Sequence, residues 1–271
     1  MHCQIILPTT FTERHRRAVE QYIRDAQLSP AGWQDVLEAF DLLGQARVQT
    51  EEQASTFAAI YHAVIEEPIG AGFLARLLHL TNPEQEGIPL KAAYARTISD
   101  RLLRSGWYDP ETRYSLYLRA FCIFWWDSFA KGYLFEVAVY HDLSAAGVAF
   151  IAHDIIDPEQ RRLSYDLLVG SWRGDVKTSL YFLATARTQT LRHDFYITRL
   201  YDPEQRQRIW AVIMQPEVWA AINGKTQAAD LGQAHRRFPA VSHFYHRSRR
   251  LVVAAYQVWK AKILIYQRGA E

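Results

Sequence analysis

The sequence predicts an α+β protein, with an all-helical domain over residues 1–124 followed by a mixed domain over residues 125–271. Three observations carry this. Up to about residue 143, apolar residues recur at three- and four-residue spacing, as in Ala18, Tyr22, Ala26 and in Val36, Phe40, Leu43, which is the period of an amphipathic helix. Beyond Gly147 the texture changes to short runs rich in Val, Ile, Phe and Tyr between polar turns, the pattern of antiparallel strands. With 49% hydrophobic residues, and with 8 Trp, 15 Tyr and 13 Phe among 271 residues, the chain has the apolar surface to fill its cores and offset its ordering entropy.

The N-terminal helices are punctuated by turn chemistry at Ser29-Pro30-Ala31-Gly32, Pro68-Ile69-Gly70, Asn82-Pro83 and Gly106-Trp107-Tyr108-Asp109-Pro110. A further helix over 125–143 is apolar on almost every side. Strands are expected at 148–156, 164–169, 175–183, 195–201 and 209–215. Two nearly identical pentapeptides, Asp157-Pro158-Glu159-Gln160-Arg161 and Asp202-Pro203-Glu204-Gln205-Arg206, read as turns: Pro presets the first turn dihedral and Asp bonds the following backbone. Residues 216–229 look helical again. Residues 251–267 suit a helix or a final strand.

Charge excludes little, because 31 Lys and Arg stand against 29 Asp and Glu, a formal +2, so only local clusters could signal a polyanionic partner. Cys3 and Cys122 lie far apart and form neither a disulfide framework nor a paired-cysteine zinc site. The N-terminus lacks the basic flank of a secretory signal. The most apolar run, 120–126, meets Asp127 and Lys131 before it could cross a bilayer. A soluble, cytoplasmic protein is the expectation, with no membrane partner.

The chemistry concentrates in Ser164-Tyr165-Asp166-Leu167-Leu168-Val169-Gly170-Ser171-Trp172-Arg173-Gly174-Asp175-Val176-Lys177-Thr178-Ser179. Asp175 and Lys177 are two apart on a strand, so both leave one face of the sheet while Val176 leaves the other. Asp166 joins them if the hairpin register has the right parity. Asp166 opposite Lys177 satisfies this and leaves residues 170–173 as a loop, with Asp166 diagonal to Asp175 at about 7–8 Å. Asp166 opposite Thr178 would lose the shared face unless a bulge at Gly170 or Gly174 restored it. Upstream, Leu134, Phe135, Val137, Ala138 and Val139 surround Glu136. A helix apolar all round is normally buried, so Glu136 is a candidate buried carboxylate in need of a partner such as a metal ion or Lys177.

A helix bearing Glu, a strand, a strand with Asp and a strand with Asp-x-Lys together resemble the PD-(D/E)xK nuclease superfamily, over roughly residues 125–201. Gly174-Asp175-Val176-Lys177-Thr178-Ser179 is the most typical stretch. The sequence departs from the family pattern in having Tyr165 before Asp166 where a proline is common, and in a short Asp166 to Asp175 interval. The resemblance implies a restriction-endonuclease-like core with a central mixed sheet flanked by helices. It also implies metal-dependent phosphodiester hydrolysis, with DNA favoured as substrate and RNA left open. On this reading Asp166, Asp175, the Val176 carbonyl and Glu136 hold Mg²⁺ or Mn²⁺, and Lys177 is the catalytic lysine. These residue types suit the task. Hard divalent ions take carboxylate and carbonyl oxygens, lower the pKa of a bound water and clamp phosphoryl oxygens, while a lysine can neutralise the developing charge.

The most basic stretch holds Arg236, Arg237, Arg247, Arg249 and Arg250, interleaved with His235, His243, Phe244, Tyr245 and His246. It suits phosphate contact with base stacking, and equally a solvated loop. His141-Asp142 and His153-Asp154 lack further ligands at metal spacing and read as structural. The N-terminal helices carry no Gly-rich phosphate loop, and a protein partner or a homodimer through them is an open expectation. The alternative to an enzyme is a catalytically silent nucleic-acid-binding or assembly subunit that keeps the fold.

Overall fold

The computed structural model describes residues 4–24, 28–50, 53–112, 114–179, 183, 191–202, 207–223, 241–246 and 249–269. It divides into two compact units, Met1–Lys131 and Gly132–Glu271. No helix among the described residues is long and apolar enough to cross a membrane.

In the first unit, β1 (Gln4–Ile6), β2 (Arg47–Gln49) and β3 (Ala54–Thr56) form an antiparallel three-stranded sheet. This corrects the expectation of an all-helical domain. Strands of three residues are too short to display alternation, so the sequence offers no periodic signal for them. The helices are α1 (Glu13–Ile23), α2 (Pro30–Leu43), α3 (Phe57–Ile60), α4 (Glu67–Leu77), α5 (Pro83–Ala95) and α6 (Ile98–Arg104). Ser29 and Asn82 cap α2 and α5 by accepting from the backbone N–H of Gly32 and Gln85. The break expected at Pro68-Ile69-Gly70 does not occur. Pro68 lacks an N–H and its ring crowds the carbonyl four residues back, and the widened π-helical stretch Tyr61–Glu66 just before it absorbs the clash. Aromatic packing fills the core, with Phe40 stacked on Phe124 at 4.3 Å and Phe73 against Trp126 at 5.2 Å.

Helix α7 (Ser115–Ala145) begins ten residues earlier than its apolar signature suggests, and the division between the units falls within it. The second unit is built on a seven-stranded sheet of β4 (Ile151–Ala152), β5 (Leu167–Val169), β6 (Trp172–Lys177), β7 (Phe195–Asp202), β8 (Gln207–Met214), β9 (Val241–His246) and β10 (Arg249–Ala255). Its order is β4-β5-β6-β7-β8-β10-β9, with β6 and β7 parallel and every other neighbouring pair antiparallel. A parallel pair needs a crossover connection, here residues 178–194, only part of which is described.

Helices α8 (Pro216–Asn223) and α9 (Tyr256–Arg268) complete the unit. The sequence 251–267, legible as either strand or helix, contains the end of β10 and most of α9. Of the strand expected over 148–156 only Ile151–Ala152 forms, and the strand expected from 175 ends at Lys177. Residues 224–229, the end of the expected helix after Pro216, lie outside the described residues. One sheet face buries Tyr196, Ala211, Ile213, Leu251 and Val253. On the other face Phe195 packs on Trp259 of α9 at 5.3 Å.

Candidate active site

The β5–β6 hairpin sets the site. Its register pairs Val169 with Trp172, Leu168 with Arg173 and Leu167 with Gly174, leaving Gly170-Ser171 as the turn. Gly170 has φ +60°, the left-handed value that primed hairpin turns require at their first central position. The expected register, with Asp166 opposite Lys177 and a loop over 170–173, is therefore wrong by two residues. A tight primed turn matches the strand twist better than the longer loop. Because the shift is even, parity survives and Asp166 keeps the face of Asp175 and Lys177. The regular pairing ends at Leu167 and Gly174; beyond it the Asp166 N–H donates to the Gly174 carbonyl at 2.9 Å, which holds Asp166 beside Gly174 and Asp175.

Gly174 pairs with Phe195 of β7, and a Cβ there would meet the Phe195 ring at 2.2 Å. The bare backbone lets the aromatic ring lie across the strand.

The two aspartates meet at the end of β5. Asp166 Oδ2 accepts from the Val176 N–H at 2.7 Å, and the Asp175 carboxyl is its close neighbour. Burial first, then the neighbouring Asp175, pushes Asp166 up to about 7. Asp175, 6% exposed, receives Lys177 Nζ on Oδ1 at 2.7 Å. Burial works against the Lys177 charge, but Asp175, Asp166 and Glu136 outweigh it and raise its pKa above the ordinary lysine value. The Lys177 side chain remains 41% exposed, so the ammonium stands between buried acids and solvent.

Glu136 projects from α7 and is 8% exposed. The Tyr140 hydroxyl, one turn on, lies 2.7 Å from Glu136 Oε1 and 2.9 Å from the Asp166 carbonyl oxygen. One hydroxyl proton cannot serve two acceptors. If the Glu136 carboxyl is protonated it donates to the tyrosine oxygen, the tyrosine donates onward, and every group is satisfied. Burial, followed by the Asp166 charge, pushes Glu136 up to about 8, in keeping with that arrangement. Tyr140 thus ties the helix acid to the strand that carries Asp166.

Sequence reasoning missed Tyr140 and His193. Tyr140 follows Glu136 by four residues, one helical turn on the same face, and that spacing could have flagged it. His193 precedes β7 and comes to Asp175 only through the parallel β6–β7 pairing, which leaves no local signal. Its Nε2 lies 3.6 Å from Asp175 Oδ2. The other histidine motifs are placed differently. The His153 N–H donates to the Asp166 carbonyl at 3.2 Å while its ring packs on Tyr165, and Asp142 pairs with Lys260 at 2.6 Å. Of the basic stretch, Arg249 and Arg250 lie exposed at the start of β10, next to the exposed Tyr245 of β9. His235, Arg236, Arg237 and Arg247 lie outside the described residues.

Asp166 and Asp175 offer carboxylate oxygens only, and the Val176 carbonyl leaves the same strand edge as the N–H that Asp166 receives, as in any extended chain. This donor set fits a hard divalent ion that keeps several waters. A cation between them would relieve the like-charge pair. Among the described residues no three His, Cys, Asp or Glu side chains gather as a ready metal cage. Comparisons with protein-family models, curated proteins and solved structures give no match to this chain.

Proposed function

We propose that the chain is a metal-dependent nuclease that hydrolyses phosphodiester bonds, with DNA as the favoured substrate and a restriction-endonuclease-like core in its second unit. The observation that carries the reading is the Asp166–Asp175 carboxyl pair, with the Lys177 ammonium 2.7 Å from Asp175 at the solvent side. The order of α7 with Glu136, β4, β5 preceded by Asp166, β6 with Asp175 and Lys177, and a parallel β7 supports it further.

Asp166, Asp175 and the Val176 carbonyl would hold Mg²⁺ or Mn²⁺. When bound, such an ion lowers the pKa of a coordinated water and neutralises phosphoryl oxygens. Lys177 has three N–H donors, and Asp175 takes one. The others are left for a scissile phosphate or for orienting the attacking water. Tyr140 ties the Glu136 carboxyl to the strand that carries Asp166. Exposed Arg249 and Arg250, at the start of β10 next to the edge strand β9, supply sequence-independent phosphate contacts.

The test is cleavage of plasmid DNA, single-stranded DNA and RNA with Mg²⁺ or Mn²⁺, by wild type, Asp175→Ala and Lys177→Ala. The expected result is metal-dependent cutting of DNA that both variants lose. Undiminished cutting by either variant would remove that residue from the mechanism. Salt-sensitive binding without cleavage under any divalent ion would favour the silent binding subunit.

A further inference from the structure

His193 is the buried polar group at this site that the reading above leaves without a task. Its ring is 8% exposed. Nε2 faces Asp175 Oδ2 at 3.6 Å, and Nδ1 is buried with no hydrogen-bond partner among the described residues. The segment that carries it is fastened from both sides. The Tyr196 hydroxyl accepts the N–H groups of Arg192 and His193 at 3.1 and 3.2 Å, and its ring meets the imidazole edge-on at 5.3 Å. Asp194 exchanges backbone and side-chain hydrogen bonds with Arg173 of β6 at 2.9 and 2.8 Å and accepts from Gln215 at 2.9 Å. The imidazole is therefore held by a built support and is not a side chain resting against the sheet.

The surroundings choose its tautomer. A proton on Nδ1 would be buried with no acceptor and would leave the Nε2 lone pair facing a carboxylate oxygen, unfavourable at both ends. A proton on Nε2 faces the carboxylate and leaves only a lone pair unpaired at Nδ1. Resting on the nuclease reading, we infer that His193 is a positioning residue which directs its Nε2–H to Asp175 Oδ2 and so fixes the carboxylate that holds the metal. At 3.6 Å the contact is too long for a hydrogen bond. Contacts of this kind are often long in an unliganded site and tighten in the working complex. Asp175 is then gripped at both oxygens, by Lys177 on Oδ1 and His193 on Oδ2, and a rotation that lets Oδ1 follow the ammonium away from the cation is blocked. Partners of this kind around a ligand carboxylate typically change metal affinity by 10–100-fold.

The experiment uses full-length protein labelled with ¹⁵N-histidine, with His193 assigned by the signals lost in His193→Gln. The expected spectrum has His193 as the Nε2–H tautomer, and Asp175→Asn shifts its Nε2 signal. Mn²⁺ affinity, read by titration calorimetry, is expected to fall at least about tenfold in His193→Leu and to recover in part in His193→Gln, which retains a donor. Both variants should keep the wild-type circular dichroism spectrum, and kcat should fall more than KM rises. An Nδ1–H tautomer, or wild-type Mn²⁺ affinity in His193→Leu, overturns the inference and leaves the nuclease reading intact. A wild type that neither binds Mn²⁺ nor cuts DNA overturns the nuclease reading, and the tautomer alone then decides whether His193 directs its proton to Asp175.

Discussion

Two aspartate–lysine pairs in the second unit have nearly the same length and opposite meanings. Lys260 on α9 meets Asp142 on α7 at 2.6 Å, one ammonium with one carboxylate, and its charge also lies over the Tyr256 ring at 5.3 Å. Charge balances there and the pair is complete. Lys177 meets Asp175 at 2.7 Å, but Asp166 and Glu136 act on the same ammonium. Three carboxyls around one cation are an excess, and burial together with that excess raises Asp166 and Glu136 above the ordinary carboxylate range. A short ion pair is thus no marker of function. Excess acid beside it stores an affinity for a cation, and the proposed function rests on that difference.

The sharpest way to break this comparison is to remove each lysine. Lys177→Ala should lower DNA cleavage by about 10²–10³-fold, the scale of losing one charge-stabilising donor. Lys260→Met should leave cleavage within twofold and cost at most about 1 kcal/mol, because Asp142 stays partly hydrated. Equal losses of activity in the two variants would mean that the distinction is false.

A second substitution tests the frame behind the acidic site. Gly174→Ala drives a methyl group into the Phe195 ring, which is itself packed on Trp259, and overpacking of this kind costs about 1–3 kcal/mol. A melting temperature equal to wild type would show that Phe195 can swing aside freely.

Excess acid also predicts how stability follows pH. Glu136 is raised from 4.5 to about 8 and Asp166 from 3.8 to about 7, so between those limits the folded protein binds more protons than the unfolded chain. Stability is full below the ordinary values and falls as pH rises through the folded ones. The metal-free melting temperature should therefore drop on going from pH 4.5 toward pH 8, by about 2–4 °C for each kcal/mol lost, and Glu136→Gln should flatten the slope. A Glu136→Gln profile parallel to wild type would show that Glu136 does not titrate in this range. The Lys260–Asp142 pair, removed by Lys260→Met, should leave the slope unchanged.

The smallest effect belongs to the exposed arginines. If Arg249 and Arg250 each contact one phosphate, Arg249→Ala should reduce the salt slope of DNA binding by about one, with no change in cleavage at saturating DNA. An unaltered slope would assign Arg249 to solvent.

Much of this was legible in advance, and the reasons are local. The apolar ring around Glu136 announced its burial because a helix presents every side within two turns. Asp175 and Lys177 share a face because strand periodicity needs no partner to define it. The three-residue strands β1, β2 and β3 escaped notice because they are shorter than the pattern that reveals a strand, and Pro68 looked like a helix end because a π-helical detour has no signature in the residues themselves.

What the sequence determined by itself is the chemistry at hand: an acid on an apolar helix, an acid before a strand, and Asp-x-Lys on the next. Tertiary structure alone decided which of these groups meet. The two-residue turn at Gly170-Ser171 set the register that ends at Leu167 and Gly174 and leaves Asp166 beside Asp175, and the parallel pairing of β6 with β7 delivered His193 to the same carboxylate. Distances between charges across strands depend on register and long-range pairing, and those are settled by packing whole elements together.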